Sequence, residues 1–245
     1  MELLAEIRLY LPALLRGAVW TIALAACSAV GAIVVGLLVC GARMSGTALL
    51  VAPAKGFISL IRGTPLLLQI FYIYYGLPEL GIVMPAFVAG TLALSLNFGA
   101  YLAELFRGAI QAVEPGQRQA ASALGLHRLQ VFALVVAPQA FRTILPALGN
   151  YATVLVKETS LVATISVLEL MRAGELLANA TFRVLLIYSL VGVIYYVICT
   201  AIARAFVLAE RRAAIPGTLA AEMAGVGGKD AILSRFLSSF RGKDR

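Results

Sequence analysis

The run Lys157-Glu158-Thr159-Ser160 stands out in a chain with few charges. A carboxylate there could hold an ammonium group, and the neighbouring ammonium could pair with that carboxylate or attract one from a ligand. Hydroxyls beside a charge pair favour local unwinding, and unwound backbone inside an apolar bundle is tolerated where it lines a cavity. Glu158, Thr159 and Ser160, with Lys157 beside them, are therefore expected to face a path for a zwitterionic solute. Two amides, Gln69 and Asn97, fall in the middle of apolar runs. Such side chains either bond across helices or line the same path.

The elements that must position these groups are set by composition. The chain has 245 residues, 61% hydrophobic and 13% charged, with mean hydropathy +0.94. Soluble domains carry roughly 25% charged residues, so this is an integral membrane protein. The net charge of +8 does not call for nucleic acid, because the basic residues gather at the ends of apolar runs, where they anchor and orient helices.

Residues 17–42 carry no charge and exceed the ~20 needed to cross ~30 Å of hydrocarbon. Between Gly63 and Ala103 the only charge is Glu79, and Pro78 and Gly81 mark a hairpin within that run. Five spans result, near 17–42, 57–77, 84–106, 132–156 and 184–206. Arg43, Lys55, Arg62, Arg107, Arg118, Arg128, Arg204, Arg211 and Arg212 flank the first and third connections and the end of the last span. By the positive-inside rule these are cytoplasmic and the N-terminus is outside. Gly31, Ala32, Gly36 and Gly41 recur along the first span and allow close helix packing, within the chain or against a twin. Residues 213–245 read as a cytoplasmic tail, a linker followed by a helix with Ile232, Leu233, Phe236, Leu237 and Phe240 on one face, lying on the inner leaflet.

The third connection is unusual for a chain reversal. Glu114-Pro115-Gly116 stops a helix, residues 117–124 are Ala-rich and helix-forming, and Gly125 ends them with a left-handed cap. The expected product is a short rigid cytoplasmic knob, about 117–126, which can transmit force where a floppy loop cannot.

These residues carry a resemblance. Gln119-Ala120-Ala121, then Gly125, then Pro138 are similar to the pattern Glu-Ala-Ala, three residues, Gly, nine residues, Ile, two residues, Pro, found in membrane subunits of ATP-binding-cassette importers. Arg62-Gly63-Thr64-Pro65, Leu96-Asn97 with Ala100-Tyr101-Leu102-Ala103-Glu104, Pro115-Gly116-Gln117 and Lys157-Glu158-Thr159-Ser160-Leu161 resemble the polar amino acid permease branch. Gln119 and Val135 depart from the motif's Glu and Ile; the first removes any salt bridge at that point. The resemblance implies a five-helix, all-α type I importer permease fold in the bacterial inner membrane. It also implies that Gln119, Ala120, Ala121, Gly125 and Pro138 belong to a coupling helix seated on an ATPase subunit. The implied partners are two ATP-binding-cassette ATPases, an extracytoplasmic solute-binding protein and a second permease copy, with polar amino acids as cargo.

No catalytic constellation or cofactor site is expected. Gly227-Gly228-Lys229 is not a phosphate loop, since Asp230 replaces Ser or Thr and Met223 stands where the first Gly is needed. Cys27, Cys40 and Cys199 have no metal or redox spacing, and the lone His127 has no partners for catalysis or for metal. ATP hydrolysis therefore falls to a partner. The competing reading, a stand-alone secondary transporter or channel, would call for an internal repeat or several coupling-ion carboxylates.

Overall fold

The computed structural model describes residues 2–213, so the expected linker and amphipathic helix in 214–245 lie outside the described residues. Helices account for almost all of them. The helices are α1 (Glu2–Met44), α2 (Ala48–Gly63), α3 (Leu66–Phe71), α4 (Ala86–Ala112) and α5 (Pro115–Ala123), then α6 (Arg128–Val131), α7 (Ala137–Glu158), α8 (Leu170–Thr181) and α9 (Val184–Ala213). Four stretches are long and apolar enough to cross a membrane: Glu6–Met44, Ala86–Ala112, Arg128–Ile165 and Val184–Ala213. The broken pair Ala48–Gly63 and Leu66–Leu80, bent by 109°, makes five if it counts as one span.

That break revises the expected span over 57–77. Thr64 is extended (φ −120°, ψ 146°) and Pro65 follows it at the start of α3. Proline disfavours the helical conformation in the residue before it, so α2 ends there. After α3 the helix widens into a π turn, Tyr72–Gly76, and tightens into a 3-10 turn, Leu77–Leu80, closed by Gly81 at φ 80°. In the later crossing, a π turn at Phe132–Val136 joins α6 to α7. Pro138 lies just beyond it, and its missing N–H cannot serve the preceding turn.

α4 is the most buried of the long helices and α9 the least. Helices α1 and α4 run side by side in the same direction, with Gly31 facing Ser95, Gly36 facing Leu102 and Gly99 facing Val35. A Cβ on Gly36 would lie 2.9 Å from Leu102 Cβ, and one on Gly99 2.6 Å from Val35 Cγ1. In lipid, apolar burial gives little drive for helix association, so such close backbone approach supplies the dispersion contacts that hold it. Gly41 has no neighbour within 4 Å of a built Cβ and takes no part in this seam.

Leu24, Leu94, Phe98, Phe106, Ile144 and Leu155 centre the main core. A second core joins Tyr10 and Leu14 of α1 to Leu170 and Ala178 of α8 and Ile187 and Val191 of α9. Val30, Val34 and Leu38 of α1 and Val193 and Val197 of α9 point outward, as hydrocarbon-facing side chains do.

Candidate functional site

The six polar residues expected along a path divide into two groups. At the end of α7 the helix tightens into a 3-10 turn, Thr159–Ile165, in place of the expected unwinding. The cause is local. Thr159 Oγ1 donates to Val156 O at 2.7 Å, Ser160 Oγ to Lys157 O at 2.7 Å and Thr164 Oγ1 to Leu161 O at 2.6 Å. Hydroxyls that bond back three residues draw the backbone into the tighter helix. Thr159 is fully buried, Ser160 and Glu158 are half-buried and Lys157 is exposed. Among the described residues neither Lys157 nor Glu158 enters an ion pair; the four pairs are Arg43–Glu104, Arg107–Glu104, Arg172–Glu175 and Arg183–Glu6. This turn therefore presents one ammonium and one carboxylate that no ion pair among the described residues neutralises.

Gln69 and Asn97 form the other group. Both are buried, and Asn97 Nδ2 donates to Gln69 Oε1 at 3.0 Å. Gln69 Nε2 donates to Ile61 O at 2.8 Å, Thr64 O at 3.2 Å and Thr64 Oγ1 at 3.0 Å. Among the described residues no hydrogen bond links this pair to residues 157–160. The tight approach of Gly90 to the Val162 side chain packs the 3-10 turn against α4.

The reversal after α4 is a self-contained helix. Pro115 opens α5, two residues earlier than expected, at a position whose N–H has no helical partner in any case. Leu126 N donates to Ala121 O at 3.3 Å and Gly125 N to Ser122 O at 3.0 Å, with Gly125 at φ 82°. These two bonds are the Schellman closure, and the left-handed residue is one that glycine adopts at no steric cost. Ala121 and Leu126 turn inward onto the main core, while Gln119, Ala120 and Gly125 are exposed and Leu124 is 83% exposed. Arg118 Nη2 donates to Ile110 O in the last turns of α4, a cation against the carbonyl end of a helix. The knob is thus riveted to α4. Pro138 stands apart from it, on the first turn of α7. His127 caps α6, its Nδ1 accepting from Gln130 N at 3.4 Å while Gln130 Oε1 accepts from His127 N at 3.1 Å.

One group escaped the sequence reading. Glu169 is fully buried and caps α8. Its Oε2 accepts from Tyr195 OH at 2.7 Å and Thr21 Oγ1 at 3.2 Å, and its Oε1 from Arg172 N at 2.8 Å. Thr21 Oγ1 in turn accepts from Leu170 N at 3.0 Å. The only sequence signal was an acid between Val167-Leu168 and Leu170-Met171. Tyr195 of α9 thus holds this carboxylate in place.

A bundle of apolar crossing helices with a rigid knob at one end is the architecture of a membrane transport subunit. Residues 50–214 match the family described as binding-protein-dependent transport system inner membrane component, and the chain belongs to that family. The probable amino-acid ABC transporter permease protein y4tG of Sinorhizobium fredii is 40% identical over 80% of this chain and 85% of its own length. The glutamine transport system permease protein GlnP of Escherichia coli is 37% identical over 82% and 93%. A solved amino acid ABC transporter, crystallised with histidines, has a chain 36% identical to this one. Its TM-score is 0.80, and the match covers 86% of this chain and 99% of that one. The MetNI methionine ABC transporter, at 18% identity and TM-score 0.71, shares the fold. The fold is the type I importer permease fold.

Proposed function

We propose that the chain is the membrane-spanning half of an ATP-driven importer for polar amino acids, working with a second permease copy, two ATP-binding-cassette ATPases and an extracytoplasmic solute-binding protein. One observation carries the reading: an exposed helix, opened by Pro115, closed by a Schellman turn and riveted to the most buried crossing helix, where a plain reversal would need none of these. α5 takes the push of an ATPase through Gln119, Ala120 and Leu124, and α4 receives it. Gln119 meets that partner as a neutral hydrogen-bonding group.

The knob shares its end of the bundle with Arg43, Arg107 and Arg118, which supports a cytoplasmic placement for it and an outside N-terminus. The solute meets residues 157–160, where Glu158 holds its ammonium group and Lys157 its carboxylate. Thr159 and Ser160 contribute by shaping the turn, since their hydroxyls already bond the backbone. Closure of the ATPases draws the two knobs together, the helices rock, and the path opens outward to the binding protein. ATP chemistry belongs to the partner, and the chain itself acts as a conduit.

Deleting residues 119–124 is expected to abolish co-purification with the ATPase while membrane insertion persists. Undiminished co-purification would remove α5 from the docking role.

A further inference from the structure

The bend between α2 and α3 leaves a defined chemical vacancy, and one side chain fills it. Pro65 has no N–H. In a continuous helix the N–H of residue 65 would serve the carbonyl of Ile61, four residues back. That carbonyl is instead served by Gln69 Nε2 at 2.8 Å. The same nitrogen reaches Thr64 O and Thr64 Oγ1, and Thr64 Oγ1 itself donates to Leu60 O at 2.9 Å. One amide thus bonds both the end of α2 and the extended residue that makes the break. Its other end, Oε1, accepts from Asn97 of α4. With every polar atom of Gln69 bonded inside a buried pair, the amide is used for geometry.

Asn97 does not grip alone. Asn97, Tyr101 and Glu104 are spaced by four and three residues, so they share one face of α4. Gln69 of α3 bonds the first, the Arg62 guanidinium of α2 sits 5.1 Å from the ring centre of the second, and Arg43 of α1 bonds the third at 3.3 Å. This face therefore holds the break from both sides, one contact before it and one after. Two residues separate the end of α4 from α5, and Arg118 bonds back onto Ile110. Knob, α4 and the bend form one connected chain of contacts.

We propose that Gln69 is a positioning residue for transport: it fixes the angle between α2 and α3 and, through Asn97, fastens that angle to α4, so that displacement of the knob turns α3. The proposal rests on the importer reading above. It joins Asn97 of the Leu96-Asn97 motif and Gln69, which lies outside every motif, in a single clasp.

The test uses the assembled complex of permease, ATPase and binding protein in lipid vesicles. The chain is made cysteine-free at positions 27, 40 and 199 and spin-labelled through Leu49→Cys and Leu80→Cys, both of which are well exposed. At 1.5 Å per residue the 109° bend places these helix ends roughly 27 Å apart, against roughly 46 Å for a straight pair. Gln69→Leu is expected to broaden the distance distribution and shift it toward the longer value. Solute moved per ATP hydrolysed should fall about tenfold, with the complex still assembled. Asn97→Leu should lower the same ratio, and the double variant should be no more than about twofold worse than Gln69→Leu, because the two amides act as a unit. Pro65→Ala added to Gln69→Leu, which lifts the steric reason for the break, should give the longest distance. If Gln69→Leu fails to assemble, Gln69→Glu keeps an acceptor for Asn97, loses the donor to Ile61 and should lengthen the distance by itself. An unchanged distance in whichever variant assembles, or losses that multiply in the double variant, would overturn the clasp. A wild-type complex that does not couple ATP hydrolysis to uptake, with the distance shifts intact, would overturn the importer reading and leave the clasp standing.

Discussion

Glu158 and Glu169 lie eleven residues apart on either side of one 3-10 turn, and the chain treats them in opposite ways. Glu169 is sealed from the surroundings and receives three donors, from α1, α8 and α9. Glu158 is half-buried and receives none from the described residues. A carboxylate provided with donors by its own fold stabilises packing and has little capacity left for a ligand. One left without donors keeps its acceptor sites open for whatever enters. Hydrogen-bond accounting therefore separates an acid held by its own fold from one left open, where residue type does not. The same accounting separates Gln69, bonded to Asn97 and to backbone, from Lys157.

The largest expected effect comes from the sealed acid. Glu169→Leu leaves Tyr195 OH, Thr21 Oγ1 and the Arg172 N–H without an acceptor, at about 1–3 kcal/mol for each group that stays dry. Thermal unfolding in detergent should drop sharply and the assembled complex should be lost. A stable Glu169→Leu complex with normal uptake would break the comparison from that side. Glu158→Ala should behave in reverse. Uptake falls about tenfold or more, while the unfolding temperature stays close to wild type, because no native bond is removed. Normal uptake by that variant would return Glu158 to a surface role. The smallest effect belongs to Thr159→Val, which removes a hydroxyl already bonded to Val156 O. It should cost about 1 kcal/mol in unfolding and leave uptake within about twofold. A loss of uptake as large as that of Glu158→Ala would show that the hydroxyl meets the solute directly.

How much was legible follows from how far each determinant reaches. The knob was readable because Pro115, an alanine run and Gly125 fix a helix and its cap within a dozen residues. The uncharged run at 17–42 required a crossing helix by length alone. The break at Thr64-Pro65 could have been placed from the proline, but the apolar run continues across it, and hydropathy does not register a bend. The bond of Gln69 to Ile61 O could also have been found, since a glutamine four residues after a proline is in reach of the freed carbonyl. Glu169 could not. Its partners Thr21 and Tyr195 stand 148 and 26 residues away, and only the packing of α1, α8 and α9 brings them together. Close packing at Gly31 and Gly36 was implied by their small size, though not that α4 is the partner, whereas the idleness of Gly41 follows from its facing outward on α1.

The most direct measurement is uptake of a labelled polar amino acid into vesicles containing this permease, with and without its ATPase and binding protein. The account requires accumulation only when all three proteins and ATP are present, and its loss on deletion of residues 119–124. Accumulation by vesicles that contain the permease alone would contradict it.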